Sequence, residues 1–573
     1  MTTSKMIESL KDYDTVSFDV FDTLLLRPYV EPTDLFYHME TNEKIPGFAK
    51  ARIRAERVAR SKIYPEVTLS EIYDTIDASY KECMDTELKY ETQILQQNAE
   101  MKKVYDFALS VGKRVVLVSD MYLPSDFMEK LLKNKGFDGF DRLYVSCEHR
   151  KNKHSGSLFE HVLKDLDLTP NVLLHIGDNR ISDVRTPERM GIGVIQYEKV
   201  INRYFKQHKR ERLYYRMKRN WERSLIVGMD SLYKLNFDSE KSFWYNFGFR
   251  YGGPVTVAFA SFINKNTKND DVLLFIARDG YNAHRAYNLL YGNVENHYVY
   301  AVRLFNIFFG INEKDYPGYE EEIVRYFANK EETKDFSGAS EKIFYENLEL
   351  YRTLMDDELK KYGDYLDKFL KNKENICVVD VSTMKFSAQK LIEKASGKNV
   401  KGIYYTLMNS KSNDEVMGFV DDYYTFLEYT QIDVPEFLMT SGESPIIKLN
   451  NDGLPIYYAT LSSEEWYRGD VTSEIEKGIE DYALFTKNVF GNLLPSLDSN
   501  TVNKWVLSLA RRMDPEERSN LGKIKWASDP AHSEYHGLIF SPSDAPMLIR
   551  NKTRDYYRSM INRLSNKKSN RDT

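Results

Sequence analysis

Short apolar runs that each end on a polar or acidic residue, with helical stretches between them, constrain this chain more than any other feature. Val16-Ser17-Phe18 turns polar at Asp19, Asp22 and Thr23. Arg114-Val115-Val116-Leu117-Val118-Ser119-Asp120 reads as a buried strand with a hydroxyl and an acid at its end. Leu143-Tyr144-Val145-Ser146 is a further short strand, and Val172-Leu173-Leu174-His175-Ile176 opens into Gly177-Asp178-Asn179-Arg180-Ile181-Ser182-Asp183. Between these runs, Ile72-Tyr73, Ile76 and Tyr80 recur at helical spacing, Glu87 to Met101 and Asp126 to Lys135 read as helices, and Lys153 to Phe159 leads into a helix through Leu166. Such alternation predicts a parallel sheet with its polar strand ends gathered on one edge. Open sheets of this kind place their chemistry at that edge. Taken singly, Asp19 could cap a turn, Ser119 could be a strand-end hydroxyl, and Lys153 could be a solvated lysine ahead of a helix.

Taken together, the polar positions occur in the order Asp, Ser, Lys, then an Asp pair. In that order Asp19 to Thr23, Ser119, Lys153 and Gly177-Asp178 with Asp183 resemble the four motifs of the haloacid dehalogenase superfamily. Its members are mostly phosphatases and other phosphoryl-transfer enzymes. The resemblance spans roughly residues 14–198. It implies a Rossmann-like α/β domain over residues 1–200 with an inserted helical cap at about residues 28–105. It also implies Asp19 as a nucleophile that forms an aspartyl-phosphate. Asp19, Asp178 and Asp183 would hold Mg²⁺, which prefers hard oxygen ligands. Ser119 and Thr23 would bond phosphate oxygens, and Lys153 would balance charge in the transition state. One position departs from the pattern. Phosphatases of the superfamily usually carry an acid two residues after the nucleophile, as proton donor and base. Here that place is Phe21, and an acid follows at Asp22. An aromatic there is also seen in the dehalogenase branch, whose chemistry needs no metal, whereas this chain keeps both Asp178 and Asp183. The reading is therefore phosphate-ester hydrolysis with an unusual or slow acid step, Asp22 being the candidate substitute.

At 573 residues the chain is too long for one core, and about two to four domains are expected. A net charge of −6 gives no argument for a nucleic-acid partner. Cys83, Cys147 and Cys377 lie far apart, outside metal-ligand spacing, which suits a reducing cytoplasm. No run of apolar residues is long enough to span a bilayer, and the polar first residues carry no signal-peptide core. A cytoplasmic location is the expectation. Residues 201–224 form a basic helical linker: Arg203 to Arg223 has nine Lys or Arg against two Glu, interleaved with Tyr204, Phe205, Tyr214, Tyr215 and Trp221. The preferred reading is a helix with a packed aromatic face and a solvated basic face.

Residues 225–573 read as a second α/β domain with helical insertions. Asp271 to Ile276 is a strand ending in Ala277-Arg278-Asp279-Gly280 ahead of a helix from Tyr281 to Leu290. His297 to Val302 is a strand ending at Arg303, and a helical insert covers about residues 312–370. Asn375 to Asp380 is a third strand, followed by a loop from Val381 to Ser387, a helix from Ala388 to Ala395 and a strand from Gly402 to Leu407. An Arg-Asp-Gly strand end offers an anion a guanidinium and backbone N–H groups. A strand ending in Asp380 before a hydroxyl-rich loop offers a ribose or metal acceptor beside a phosphate cradle. This pairing is similar to the type I phosphoribosyltransferases, although Val379-Asp380-Val381 has one acid where two are usual and Ser382 to Ser387 lacks glycine. An α/β domain without a nucleotide carries equal weight. The substrate-binding candidates are Arg278, Asp279, Asp380, Thr383, Lys385 and Ser387. Pro435 to Phe437 and Ser441 to Ser444 read as a polar loop that could close over an acceptor or simply lie at the surface. The basic tail, Arg550 to Thr573, reads as a frayed solvated end in preference to a helix that could rest on anionic lipid. Joined, the halves imply transfer of ribose 5-phosphate from phosphoribosyl pyrophosphate to a bacterial surface glycan, then removal of the 5-phosphate. The alternatives are a stand-alone sugar- or nucleotide-phosphatase with a recognition domain, and a non-catalytic phosphate-binding scaffold.

Overall fold

The structure, a computed structural model, describes residues 2–237, 241–302, 304–305, 320–327, 340–383, 386–407, 411–420, 434–444, 446–450, 452–457, 463–511, 513–527 and 535–538. The chain forms two units, Met1–Lys241 with Leu484–Thr501, and Ser242–Ala483 with Val502–Thr573.

In the first unit, strands β1 (Thr15–Phe18), β4 (Arg114–Ser119), β5 (Arg142–Val145), β6 (Leu173–Gly177) and β7 (Gly193–Gln196) form one sheet in the order β5-β4-β1-β6-β7. Every pairing in it is parallel. The central strand β1 is buried on both faces, with Val16 and Phe18 fully inaccessible, which is why it reads as an apolar run without alternation. The chain lays β4 and β5 on one side of β1 and then returns to lay β6 and β7 on the other. The reversal falls between β1 and β6, where open sheets form a crevice at their C-terminal edge.

The cap enters and leaves through a short antiparallel stem, β2 (Leu25–Leu26) paired with β3 (Gln96–Gln97). Between them run the helices Asp34–Asn42, Phe48–Lys62, Leu69–Asp74 and Cys83–Ile94. Thr68 and Glu71 close a reciprocal capping box that starts the third of these. The cap interior is tied by charge as well as by apolar packing. Arg52 is fully buried and donates Nε–H to Glu87 Oε2 at 2.7 Å and NH2 to Oε1 at 2.8 Å, while the Tyr73 hydroxyl donates to Oε2 at 2.8 Å. Its guanidinium also lies 4.7 Å from the Phe36 ring centroid and 4.9 Å from that of Tyr122, a residue of the loop after β4.

The basic segment expected as a linker belongs to the first unit. It forms helices Val200–Gln207, Lys209–Met217 and the start of Trp221–Asn236, and it buries Tyr204, Tyr214 and Tyr215. The aromatic face packs, as periodicity implied, but the segment is part of a body rather than a tether.

The second unit holds a parallel sheet of β8 (Val272–Ile276), β9 (Glu295–Val299), β10 (Ile376–Thr383), β11 (Val400–Leu407) and β12 (Val416–Val420), ordered β12-β11-β10-β8-β9. Its reversal lies between β8 and β10. Two expectations change. Val381 to Thr383 continue β10 instead of opening a loop, because Ser382 and Thr383 pair with Thr406 and Leu407 of β11. Pro435 to Phe437 lie in a helix, Val434–Met439, whose Val434, Phe437, Leu438 and Met439 are buried, so they are not part of a polar loop. Of the helical insert, Glu320–Phe327, Ser340–Glu346 and Leu348–Leu370 are described. Arg303, Lys385 and the tail from Arg550 lie outside the described residues. No helix among the described residues is long and apolar enough to cross a membrane.

Removing one partner of a buried, hydrogen-bonded ion pair leaves the other charge stranded, at a cost of about 3–5 kcal/mol. Glu87→Ala should destabilise the first unit by about that much, read as a lower urea midpoint for its transition, whereas a change below about 1 kcal/mol would show that Arg52 finds other partners.

Candidate active site

The edge between β1 and β6 gathers Asp19, Asp178 and Asp183, with Lys153 among them. The Asp19 N–H donates to Ile176 O at 2.9 Å, extending the ladder one residue past β1 and fixing where its carboxylate stands. The loop then folds back: Leu24 and Leu25 N–H both donate to Val20 O, and Thr23 Oγ1 donates to Asp19 Oδ2 at 3.0 Å. Asp22 takes a left-handed backbone, φ 59°, to make this turn.

After β6, Asn179 Oδ1 accepts from the N–H groups of Ile181 and Ser182 and starts a wide helical turn, Arg180–Arg185. That turn brings Asp183 back onto the strand end, where its Oδ2 accepts from Asn179 N–H at 2.9 Å. Gly177 permits the approach, since a Cβ there would lie 2.6 Å from Asp183 Cβ and Cγ. Lys153 arrives from the segment before the helix Ser157–Asp165, with its backbone N–H held by both oxygens of Asp120 at 2.9 and 3.1 Å.

The result is a buried electrostatic centre. Lys153 Nζ donates to Asp19 Oδ1 at 2.6 Å and lies 2.5 Å from Asp183 Oδ1. Asp19, Asp178 and Asp183 each offer an oxygen, all within 4.8 Å of one another. With Asp22 beside them, these carboxylates outnumber the two lysines that face them, Lys153 and Lys199, and a hard divalent cation such as Mg²⁺ fits such an oxygen donor set. A second observation points to an anion beside them. The Ser119 hydroxyl, at the tip of β4, is buried and makes no hydrogen bond to protein. A buried hydroxyl left in that state costs about 1–3 kcal/mol, unless a ligand completes it.

The carboxylates differ in protonation. Burial pushes Asp19 well above the usual carboxylate range, with Lys153 opposing and Asp183 and Asp178 adding to the rise. Burial would also raise Asp183, but Lys153 and His175 hold it well below that range. Burial pushes Asp178 up to about 6, with Lys199 opposing and Asp22 adding to it. His175 Nε2 sits 3.3 Å from Asp183 Oδ1, and its Nδ1 is 2.7 Å from Ser17 Oγ inside the sheet.

Asp22 lies on Lys199, with Nζ to Oδ2 at 2.7 Å, and the same ammonium is 3.3 Å from Asp178. Phe21 is half-buried, and Arg27 covers its ring at 4.6 Å. Sequence reasoning passed over Asp120, His175, Asn179 and Lys199 as site residues. Asp120 was visible as a strand-end acid, whereas His175 looked like strand interior and Lys199 became a partner only through the pairing of β7 with β6.

In the second unit, Arg278 and Asp279 follow β8, and Asp380 stands on the adjacent β10. Arg278 is left-handed, φ 68°, and its Nε is buried without a hydrogen bond to protein. Its N–H donates to the Tyr298 hydroxyl at 2.7 Å, which donates to Glu443 Oε2 at 2.8 Å. Ser441 N–H donates to Arg278 O at 3.0 Å and Thr440 Oγ1 donates to Asp279 Oδ1 at 2.9 Å, so residues 440–443 pack on this turn. Asp380 Oδ1 accepts from Val381 N–H at 2.8 Å, and Ser387 opens the helix Ser387–Ser396. The side chain of Thr383 and all of Lys385 lie outside the described residues.

No protein-family description matches the chain. No curated protein matches it either. Among solved structures, the L-2-haloacid dehalogenase of Xanthobacter autotrophicus is 16% identical over 34% of this chain and 82% of its own, with a TM-score of 0.25. A predicted phosphoglycolate phosphatase from Haemophilus somnus is 14% identical over 32% of this chain and 85% of its own, with a TM-score of 0.26. A defluorinating L-2-haloacid dehalogenase is 15% identical over 33% and 83%, with a TM-score of 0.27.

A divalent cation held by Asp19, Asp178 and Asp183 would compete with protons for the same oxygens. Mg²⁺ affinity should therefore be higher at about pH 7 than at about pH 5, because burial pushes Asp178 up to about 6 and raises Asp19 as well. Calorimetric titrations at about pH 5 and about pH 7 measure this, and equal affinities at both would show that Asp178 is not a ligand.

Proposed function

We propose that the first unit is a Mg²⁺-dependent phosphate-monoester hydrolase of the haloacid dehalogenase type, with Asp19 as nucleophile. The observation that carries this reading is the buried Asp19–Lys153–Asp183 centre beside the unbonded hydroxyl of Ser119. Asp19, Asp178 and Asp183 would hold the cation, which screens the repulsion between a carboxylate and a phosphate dianion and offsets charge on the phosphoryl oxygens. Thr23 and Lys153 orient Asp19 for in-line attack. Ser119 donates to a phosphoryl oxygen, and the Lys153 ammonium offsets the charge that grows there. Attack forms the Asp19–phosphorus bond and breaks the bond to the substrate alcohol, whose oxygen must gain a proton. Water then attacks phosphorus, breaks the acyl-phosphate bond and restores the carboxylate. With Phe21 in place of an acid, proton delivery falls to Asp22 or to solvent, and we read this step as slow.

The second unit is proposed to bind a phosphorylated sugar at the reversal between β8 and β10. In this reading it transfers ribose 5-phosphate from phosphoribosyl pyrophosphate to a glycan acceptor, and the first unit then removes the phosphate. Arg278, with unused bonding capacity at that sheet edge, favours this assignment. A stand-alone sugar- or nucleotide-phosphatase with a recognition unit is the alternative.

Asp19→Asn should abolish Mg²⁺-dependent phosphate release, by more than about a thousandfold, while leaving the unfolding transition in place. Release unchanged by this substitution would remove the nucleophile assignment. For the second unit, phosphoribosyl pyrophosphate should bind the full chain in calorimetry, and Asp380→Ala should weaken it; an absence of binding removes the transferase reading.

A further inference from the structure

At the stem of the cap a buried ion pair has bonding capacity left over, and on the hydrolase reading above it names the substrate class. Arg27 is the first residue after β2, and Glu91 lies on the cap helix Cys83–Ile94. Arg27 NH2 donates to Glu91 Oε1 at 2.7 Å, with the two side chains only 6% and 2% exposed. Arg27 Nε and Glu91 Oε2 are both buried, and neither makes a hydrogen bond to protein. Proteins rarely bury an unused charged donor and an unused charged acceptor in one pair, because each such atom is costly.

The pair also lies beside the loop that carries Asp19. The Arg27 guanidinium carbon is 4.6 Å from the centroid of the Phe21 ring, two residues along the loop from Asp19. Asp22 and Tyr122, from the loops after β1 and β4, are among its electrostatic neighbours. Those loops carry or follow Asp19 and Ser119, the two groups assigned to the phosphoryl transfer. Arg27 thus joins the stem of the cap to the loops that hold the proposed site, next to an aromatic ring.

We infer that Arg27 Nε and Glu91 Oε2 receive a hydroxyl of the substrate's alcohol half, so that the substrate is a phosphorylated sugar or similar polyol. A hydroxyl is the group that accepts one hydrogen bond and donates another from a single atom. The Phe21 ring adds an apolar surface against which the C–H face of a sugar packs. A phosphate ester without hydroxyls would bury both atoms unbonded, and sites built to bond a hydroxyl reject analogues that lack it. Arg27 and Glu91 are specificity residues in this account, apart from the bond-making at Asp19.

The test uses the full chain with Mg²⁺. It compares ribose 5-phosphate with phenyl phosphate in kcat/KM and in calorimetric affinity. The wild type should favour the sugar phosphate by at least about tenfold, the worth of one well-made hydrogen bond to a charged group. Arg27→Met with Glu91→Leu replaces the ion pair by apolar side chains, an exchange that folds often tolerate. A cooperative unfolding transition checks that it has done so. In this double variant the sugar-to-phenyl ratio should fall at least about tenfold. Glu91→Gln, which keeps the shape and removes the charged acceptor, should lower the same ratio if the double variant does not fold. A ratio unchanged in a folded variant, or phenyl phosphate used as well as ribose 5-phosphate by the wild type, overturns the inference. If the wild type releases no phosphate from either compound yet binds the sugar phosphate selectively through Arg27 and Glu91, the hydrolase reading fails and this inference stands.

Discussion

The ammonium of Lys153, buried against Asp19 and Asp183, is the interaction on which the charged centre of the first unit depends. Without it, two carboxylates would face one another in a water-poor crevice, and one would have to take up a proton. With it, Asp183 stays ionised while Asp19 and Asp178 remain raised by burial. The centre is thus arranged so that further positive charge is welcome and a second anion can follow. The surrounding contacts serve this arrangement. Asp120 holds the Lys153 backbone, Asn179 and Gly177 allow Asp183 to return to the strand end, and Thr23 turns the Asp19 carboxylate.

Both units use the same topological device. Each sheet is laid from its first strand outward in one direction and then in the other, which opens a crevice at the C-terminal edge beside that first strand. In the first unit the crevice carries Asp19 and Asp178, and in the second Arg278 and Asp380. The two edges differ in what fills them. The first is dominated by carboxylates around a lysine. The second sets an arginine in a strained backbone against a loop, residues 440–443, that bonds to its carbonyl and to Asp279.

Much of the first unit was legible in the chain. The four strand ends carry residue types, in an order, that few folds require together, and the spacing of buried apolar runs placed β1, β4, β5 and β6 to within a residue or two. Interactions between segments distant in sequence were not legible. The Arg52–Glu87 pair joins two cap helices, Lys199 meets Asp22 from the far end of the sheet, and Arg27 finds Glu91 across the cap. Each is an ordinary charged residue on a helix or loop, and its partner is set by tertiary packing alone. In the second unit the end of β10 was misplaced because Ser382 and Thr383 look like loop residues. Pairing with β11 overrides that local preference. The packed aromatic face of the basic segment was legible, with Tyr204, Tyr214 and Tyr215 buried, yet periodicity does not say which body a helix packs on.

The central claim is that Asp19, held by Lys153 and Thr23, becomes phosphorylated. Its most direct measurement is borohydride reduction of the full chain during turnover with Mg²⁺ and a sugar phosphate, followed by peptide mass spectrometry. An acyl-phosphate is reduced to the alcohol, so the account predicts a homoserine mass at position 19, dependent on both Mg²⁺ and substrate. Phosphate release without any reduced product at Asp19, or with the product at Asp22 or Asp178, would contradict it.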